Sequence, residues 1–386
     1  MSHRAASTAK GPLGPFMGLV MIGVVAVGGL VGYRQFVADD GDGGSDRSAP
    51  VSSASDKPYP TTPTPTTAAP TVPPPPSSAA PSTSASPTAA ETGPGSSTRV
   101  PELQAAAEQA TAGKPQASLV ALNIHTGEIV ATVDRDTGMS GVIAPGSTFK
   151  IVSSALLLKK GVVTPNSKVP CPKTAVAGQS FHNLGNFEIP DATFRQDFAR
   201  SCNTAFVELR SKIGDSELST FSTDYFGLNS DAWQVGEGGT TDGTVPASTG
   251  DADKAAQMIG QGSLKMNPMT MASVVATAVT GKFHQPTLVR GGEVYKTGKA
   301  LPDNVVSGIK DMMRACATSG TAASTFKGMP GVGAKTGTAE VGSSGTNGWM
   351  VAYRGDIAVA VVVIGGESGS GAAGPIVRSF LSAVPA

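Results

Sequence analysis

A serine and a lysine stand three residues apart in APGSTFKIVSSALLLKKG, the stretch from Ala144 to Gly161. The apolar run predicts a helix over 147–160, closed by two lysines and Gly161 as helix C-termini prefer. Pro145 and Gly146 put Ser147 in its first turn, where free backbone N–H groups and the positive dipole end favour developing negative charge. Residues three apart share a helix face, so Lys150 can point at the Ser147 oxygen. A serine hydroxyl is a poor nucleophile until a base takes its proton. A lysine becomes a better base when apolar surroundings and nearby positive charge lower its pKa. Phe149, Ile151, Val152, Ala155, Leu156 and Leu157 supply such surroundings, so Lys150 reads as a half-buried base for Ser147. The plainer reading is a capping serine with a snorkelling lysine, and Ser-x-x-Lys alone recurs by chance.

Two further stretches add to it. FARSCNTAFVEL places Ser201, Cys202 and Asn203 before a helical run, and GAKTGTAE places Lys335, Thr336, Gly337 and Thr338 on a predicted strand. A lysine with two hydroxyls can hold a carboxylate, and Gly337 lets a ligand approach the backbone. Taken singly, the first is an ordinary N-cap and the second an ordinary glycine-interrupted strand.

The elements that must carry these residues come from both chain ends. ASLVALNI and EIVATVD alternate as strands joined through His125-Thr126-Gly127, after a helix over Pro101–Ala112. GVGAKTGTAE, NGWMVAY and DIAVAVVVIGG read as three more strands, with a turn at Arg354-Gly355-Asp356 and a last helix after Pro375. Helices fill the middle: Asn267-Pro268 reads as cap and first position of one, and Asp303–Ala317 is amphipathic. Closely spaced hairpins imply an antiparallel sheet, hence an α+β fold with a second, helical lobe and a cleft between the lobes.

Ahead of this domain (100–386) the composition changes twice. Residues 1–10 hold His3, Arg4 and Lys10 and read as a cytoplasmic tail. Residues 11–37 begin with an uncharged stretch, Gly11 to Tyr33, long enough to span a bilayer, and read as an uncleaved anchor rather than a signal peptide. Residues 38–99, rich in Pro, Ser, Thr and Ala, read as a disordered linker outside the membrane, with a reach on the order of 100 Å. The formal charge is zero, which argues against nucleic acid or a polyanionic partner.

The three cysteines, Cys171, Cys202 and Cys316, form no Cys-x-x-Cys pair, so a structural metal is not expected. Outside the cell a disulfide is permitted; Cys171 with Cys202 is the pair to test, and Cys316 reads as buried in a helix. GVGAKTGT resembles a phosphate loop only faintly, because Ala334 stands where a glycine belongs and a strand follows. The glycine-rich VGEGGTTDG has no basic residue and reads as a surface loop, and the methionines near 258–271 as core fillers.

The order Ser-x-x-Lys, Ser-x-Asn, Lys-Thr-Gly resembles that of the penicillin-binding protein transpeptidases, within the serine β-lactamase-like superfamily. PGSTFKIV, SCNTAF, IGQGSLKMNPMTMA, SGTA and AKTGTAE look like that family's segments in its order, over roughly Pro101–Ala386. The resemblance implies a five-stranded antiparallel sheet flanked by helices. It implies that Ser147 attacks the penultimate D-Ala carbonyl of a peptidoglycan stem peptide, with Lys150 as general base. Ser201 would relay the proton to the leaving amine, held by Lys150 and Lys335. Asn203 would position Lys150 and the substrate. Lys335, Thr336 and Thr338 would receive the substrate carboxylate. The N–H groups of Ser147 and Thr338 would form an oxyanion hole. No metal or cofactor is implied, and β-lactams would stall the acyl-enzyme.

Two departures leave those roles intact: Cys202 in the middle of the second motif, and Ala334 where a glycine often precedes the lysine. The linker stands where the family's folded N-terminal module would be, which puts recruitment of cell-wall synthesis proteins in doubt and leaves them as possible partners. Two alternatives share the motifs. A serine β-lactamase needs a base for deacylating water, and no convincing Glu-x-x-Leu-Asn segment is found. A β-lactam-binding sensor without turnover needs a cytoplasmic effector, and only about ten residues precede the anchor.

Overall fold

Apolar runs from both ends of the chain pair into one sheet. The strands are β1 (Ala117–Asn123), β2 (Ile129–Val133), β3 (Thr174–Val176), β4 (Ser180–His182), β5 (Gly333–Val341), β6 (Gly345–Arg354) and β7 (Ile357–Val363). In this computed structural model the described residues are 93–385, apart from 237, 343 and 344. Five strands form an antiparallel sheet in the order β2-β1-β7-β6-β5, and β3 pairs with β4 in a separate hairpin. The α+β class and five-stranded antiparallel sheet expected from the sequence are therefore observed. Ala121 lies opposite Ala131 on one side and Val359 on the other, while Lys335 lies opposite Val351 and Gly337 opposite Trp349. The central strand β7, IAVAVVV, is buried on both faces except at its last residue, which is why it reads as a continuous apolar run.

Helices cover the sheet. They are α1 (Pro101–Thr111), α2 (Lys150–Lys159), α3 (Phe194–Arg200), α4 (Asn203–Leu209), α5 (Glu217–Phe226), α6 (Asp251–Met258), α7 (Pro268–Thr280), α8 (Asp303–Ser319) and α9 (Gly374–Leu381). Helices α1 and α9 pack on each other and on the sheet, while α7 and α8 pack on each other, α7 against β1 and β7 and α8 against β5. Helix α7 starts where expected. The Asn267 side chain accepts the Thr270 N–H at 2.9 Å, and the Thr270 hydroxyl accepts the Asn267 N–H at 2.9 Å, a reciprocal cap ahead of Pro268. Its residues are buried except Thr280, and Gly281 closes it in the left-handed region.

One expectation lies beyond the described residues and another shifts. The anchor and most of the linker lie outside the described residues, and among the described residues no helix is long and apolar enough to cross a membrane. Residues 93–99, read from composition as the end of the linker, pack onto the domain. The Thr98 N–H donates to Leu288 O at 3.0 Å, its hydroxyl donates to Ile129 O at 2.8 Å, and Thr98 is fully buried. Backbone pairing needs no apolar side chains, so composition could not reveal it. The β3–β4 hairpin was also not anticipated, being only three residues a side.

The segment that carries Ser147 is clamped from two sides by glycines. Gly260 has φ +81°, and a Cβ there would stand 1.8 Å from the Gly146 carbonyl oxygen. The Gly146 N–H in turn donates to Gly260 O at 2.9 Å. On the other side a Cβ at Gly337 would meet Thr148 Cγ2 at 2.9 Å and Pro145 O at 3.0 Å. The sequence suggested that Gly337 admits a ligand; the space is taken by the turn before α2. A side chain at 260 would add a left-handed backbone penalty of about 1–2 kcal/mol to an overpacking cost of about 1–3 kcal/mol. Gly260→Ala is therefore expected to lose about 2–5 kcal/mol in urea denaturation. Gly298→Ala, with nothing within 4 Å of the added carbon, should stay within about 0.5 kcal/mol of wild type. Equal midpoints for the two variants would show that the clamp does not exist.

Candidate active site

Ser147 does not open the α-helix itself. It sits in a 3-10 turn, Gly146–Phe149, that feeds directly into α2 at Lys150. The Thr148 hydroxyl donates to Pro145 O at 2.7 Å and tightens that turn. Ser147 stays partly exposed, whereas Lys150 is wholly buried rather than half-buried as the apolar surroundings had suggested. Burial this complete requires partners for the nitrogen.

Three oxygens meet it. Lys150 Nζ lies 3.0 Å from Ser147 Oγ, 3.0 Å from the Ser201 carbonyl oxygen and 2.7 Å from Asn203 Oδ1. The Phe206 ring lies below, its centroid 5.3 Å away. The Ser201 carbonyl reaches the lysine because α3 ends on Ser201 in the left-handed region, φ 61° and ψ 35°, which is strained for a residue with a side chain. Asn203 Nδ2 donates to His182 O at 3.0 Å, which fixes the amide with its oxygen toward the lysine. Burial, then the nearby Lys335 charge, hold Lys150 well below the ordinary lysine range. A neutral amine has two N–H groups and one lone pair. The Ser201 carbonyl and the Asn203 amide oxygen can only accept, so they take the N–H groups. The lone pair is left for the Ser147 hydroxyl, the one partner of the three that can donate.

Lys335 approaches from β5, the edge strand. Its Nζ donates to Ser201 Oγ at 2.8 Å and to Thr336 O at 2.8 Å, with the Phe198 ring centroid at 5.6 Å. It is fully buried, and burial lowers its pKa to about 8. Five of the expected site residues, Ser147, Lys150, Ser201, Asn203 and Lys335, thus form one hydrogen-bonded cluster. Thr338 follows on the same strand, partly exposed. Thr336 departs from expectation: its hydroxyl shares a 2.6 Å hydrogen bond with the Thr321 hydroxyl and is largely buried. Thr321 lies just beyond α8, in the SGTA segment.

The turn between α3 and α4 depends on residues that the sequence did not mark. Asn183 Oδ1 accepts the N–H groups of Asn203 at 2.7 Å and Thr204 at 3.2 Å, and Asn183 Nδ2 donates to Phe187 O and Pro172 O. Asparagine in a loop carries no periodic signal, so only the hairpin it closes could have pointed to it. Cys171 and Cys202 form a disulfide, the pairing that spacing left open, and it ties the Ser201–Asn203 turn to the chain beside β3. Cys316 is free and buried on α8, as expected.

The comparisons with known proteins agree with this arrangement. The family model described as the penicillin binding protein transpeptidase domain matches residues 117–382. The peptidoglycan D,D-transpeptidase PbpA of Mycobacterium tuberculosis is 26% identical over 317 residues, covering 73% of this chain and 60% of the relative. Its counterpart in Mycolicibacterium smegmatis is 29% identical over 279 residues, covering 64% of this chain and 55% of the relative. The chain thus spans little more than half the length of these curated relatives. Among solved structures, the ceftriaxone acyl-enzyme complex of penicillin-binding protein A from M. tuberculosis superposes with a TM-score of 0.69 at 24% identity, over 76% of this chain and 80% of that one. That likeness concerns the fold. With the motif order, the cluster and the match over most of the domain in hand, the chain belongs to the penicillin-binding protein transpeptidase family.

Proposed function

We propose that this chain is a membrane-anchored peptidoglycan D,D-transpeptidase, with Ser147 as nucleophile and Lys150 as its base. The observation that carries the reading is the Lys150 nitrogen: buried, held by two pure acceptors, and left with its lone pair toward Ser147 at 3.0 Å. That is the donor set of a free-base amine ready to take a hydroxyl proton. The relatives named as peptidoglycan D,D-transpeptidases support the substrate class.

The geometry supports the following steps. Ser147 Oγ attacks the carbonyl carbon of the penultimate D-Ala while its proton passes to Lys150. The new oxyanion would be met by the N–H groups of Ser147 and Thr338, each worth a few kcal/mol at such sites. As the intermediate collapses, the C–N bond breaks and the terminal D-Ala amine takes a proton from Lys150 through the Ser201 hydroxyl. Lys335 holds that hydroxyl at 2.8 Å. A neighbouring stem peptide's amine then attacks the ester carbon, returns a proton to the site and frees Ser147. Lys335 and the Thr338 hydroxyl would receive the terminal carboxylate. Thr336, engaged with Thr321, would fix the strand and contribute less directly. With a β-lactam the cleaved amide nitrogen stays tethered, which would block the second amine. In this reading residues 11–37 anchor the chain and 38–92 carry the domain away from the bilayer. The Cys171–Cys202 disulfide favours an oxidising, extracytoplasmic location.

Fluorescent penicillin labelling tests this directly. Ser147→Ala should abolish labelling with an unchanged melting temperature, and Lys150→Ala should slow acylation by about 10²–10⁴-fold. Labelling that survives Ser147→Ala, or an adduct lost within seconds by hydrolysis, would remove the transpeptidase reading. Terminal D-Ala release from a stem-peptide mimic would support it. Acylation should also weaken as pH rises through about 8, because Lys335 is cationic below that value and neutral above it. Lys335→Arg, which keeps its charge, should extend the active range to higher pH. An alkaline limb that stays in place in that variant would exclude Lys335 as its source.

A further inference from the structure

The turn that follows α8 touches both parts of the site. Helix α8 ends at Ser319, and the Ala322 N–H closes it by donating to Cys316 O at 3.1 Å. The Thr321 N–H goes elsewhere. It donates to Ala199 O at 3.0 Å, on α3 two residues before Ser201. Gly320 permits that approach, since a Cβ there would stand 2.2 Å from the same Ala199 oxygen. The Thr321 hydroxyl meets the sheet instead: its oxygen lies 2.6 Å from the Thr336 hydroxyl on β5, with the Cys316 sulfur at 3.4 Å. A threonine in a turn ordinarily bonds its own neighbours, whereas this one reaches a residue fifteen positions along the chain.

These contacts close a ring. From Thr321 the hydroxyl bond leads to Thr336, whose carbonyl accepts Lys335 Nζ at 2.8 Å. Lys335 Nζ also donates to Ser201 Oγ at 2.8 Å. From Ser201 the α3 backbone leads back to Ala199, whose carbonyl returns to the Thr321 N–H. Thr321 therefore grips α3 with its main chain and β5 with its side chain. A β-branched side chain is stiff at χ1 and short, so it sets the separation of the two elements more closely than a long side chain would.

We propose that Thr321 is a positioning residue for acyl transfer that acts through Lys335: by fixing Thr336 against α3 it keeps Lys335 on the Ser201 hydroxyl, along the path by which the leaving nitrogen receives its proton. The proposal rests on the transpeptidase reading above and extends it at one step. As the C–N bond breaks, Ser201 passes its hydroxyl proton to the nitrogen and takes one from Lys150, so the hydroxyl is restored. That transfer tolerates little error, because a misplacement of about 1 Å can cost on the order of 10²-fold. Without the Thr321 hydroxyl, Thr336 loses its partner, β5 is free to shift against α3, and Lys335 holds Ser201 less well.

The test compares two acylating probes that differ in leaving group, on the full chain of wild type, Thr321→Val and Thr321→Ser. A fluorescent penicillin breaks a C–N bond, and its nitrogen needs the proton. A benzoyl-D-alanyl thioglycolate thioester breaks a C–S bond and releases a thiolate, a far weaker base that leaves without one. Both probes carry a carboxylate, so its binding is common to the two. Valine keeps the shape of threonine and removes the hydroxyl; serine keeps the hydroxyl. Thr321→Val should slow penicillin acylation about tenfold and thioester acylation no more than about twofold. Its melting temperature should stay near that of the wild type, and Thr321→Ser should recover most of the penicillin rate. Lost packing or lost carboxylate binding would slow both probes alike. Equal slowing of the two probes, an unchanged penicillin rate in Thr321→Val, or a serine variant as slow as the valine one overturns the proposal and leaves the transpeptidase reading standing. A wild-type protein that reacts with neither probe overturns that reading instead. If the valine variant does not fold, Thr321→Ala is judged by the same ratio of rates.

Discussion

A lysine nitrogen removed from water must either find oxygen partners or give up its proton. Lys150 does both, and much of the domain serves that outcome. Two of its partners, the Ser201 carbonyl and the Asn203 amide, come from one turn. That turn is held by the Cys171–Cys202 bridge, by Asn183 and by the left-handed backbone at Ser201. The third partner, Ser147, comes from a segment wedged between β5 and the Gly260 loop. Loosening any of these surfaces would admit water to the amine and restore its proton.

The same cluster shows how a sheet edge and a helical lobe are made to act together. Lys335 belongs to the sheet and Ser201 to the lobe, and one 2.8 Å hydrogen bond joins them. Lys335 also lies over the Phe198 ring, and Lys150 over Phe206, so each lysine nitrogen is shielded by an aromatic from the helix that ends or begins at the turn. The aromatics keep the dielectric low, and the low dielectric is what shifts both lysines.

How much of this was legible beforehand depended on the kind of signal. The five strands were readable because β1, β2 and β7 are apolar runs bounded by turns and β5 and β6 precede β7 in close succession, and α7 because Asn267-Pro268 announces its start. Ser147, Lys150, Ser201, Asn203 and Lys335 were readable because their types and order matched a known pattern. Residues whose work is done by position alone were not. Gly260 is one glycine among many, and although the Lys-Thr-Gly motif marked Gly337, only the packing shows which surface each lets approach. Asn183 lies in a loop without periodicity, yet it orients α4, and the SGTA segment was noticed without the contact by which Thr321 holds Thr336. The first residues of the domain were missed because they attach by backbone bonds, which side-chain composition does not record.

The single unpaired sulfur has a consequence for biogenesis. Cys316 lies on α8, and its sulfur is 3.4 Å from the Thr321 hydroxyl, close behind the lysine of β5. In a nascent chain meeting an oxidant, this thiol competes for either half of the native bridge, and a wrong partner would drag α8 toward the hairpin. The native pairing is favoured if α8 docks on the sheet before oxidation, sequestering the odd thiol in apolar packing. The order of tertiary docking and bond formation, rather than cysteine spacing, then decides how cleanly this domain matures.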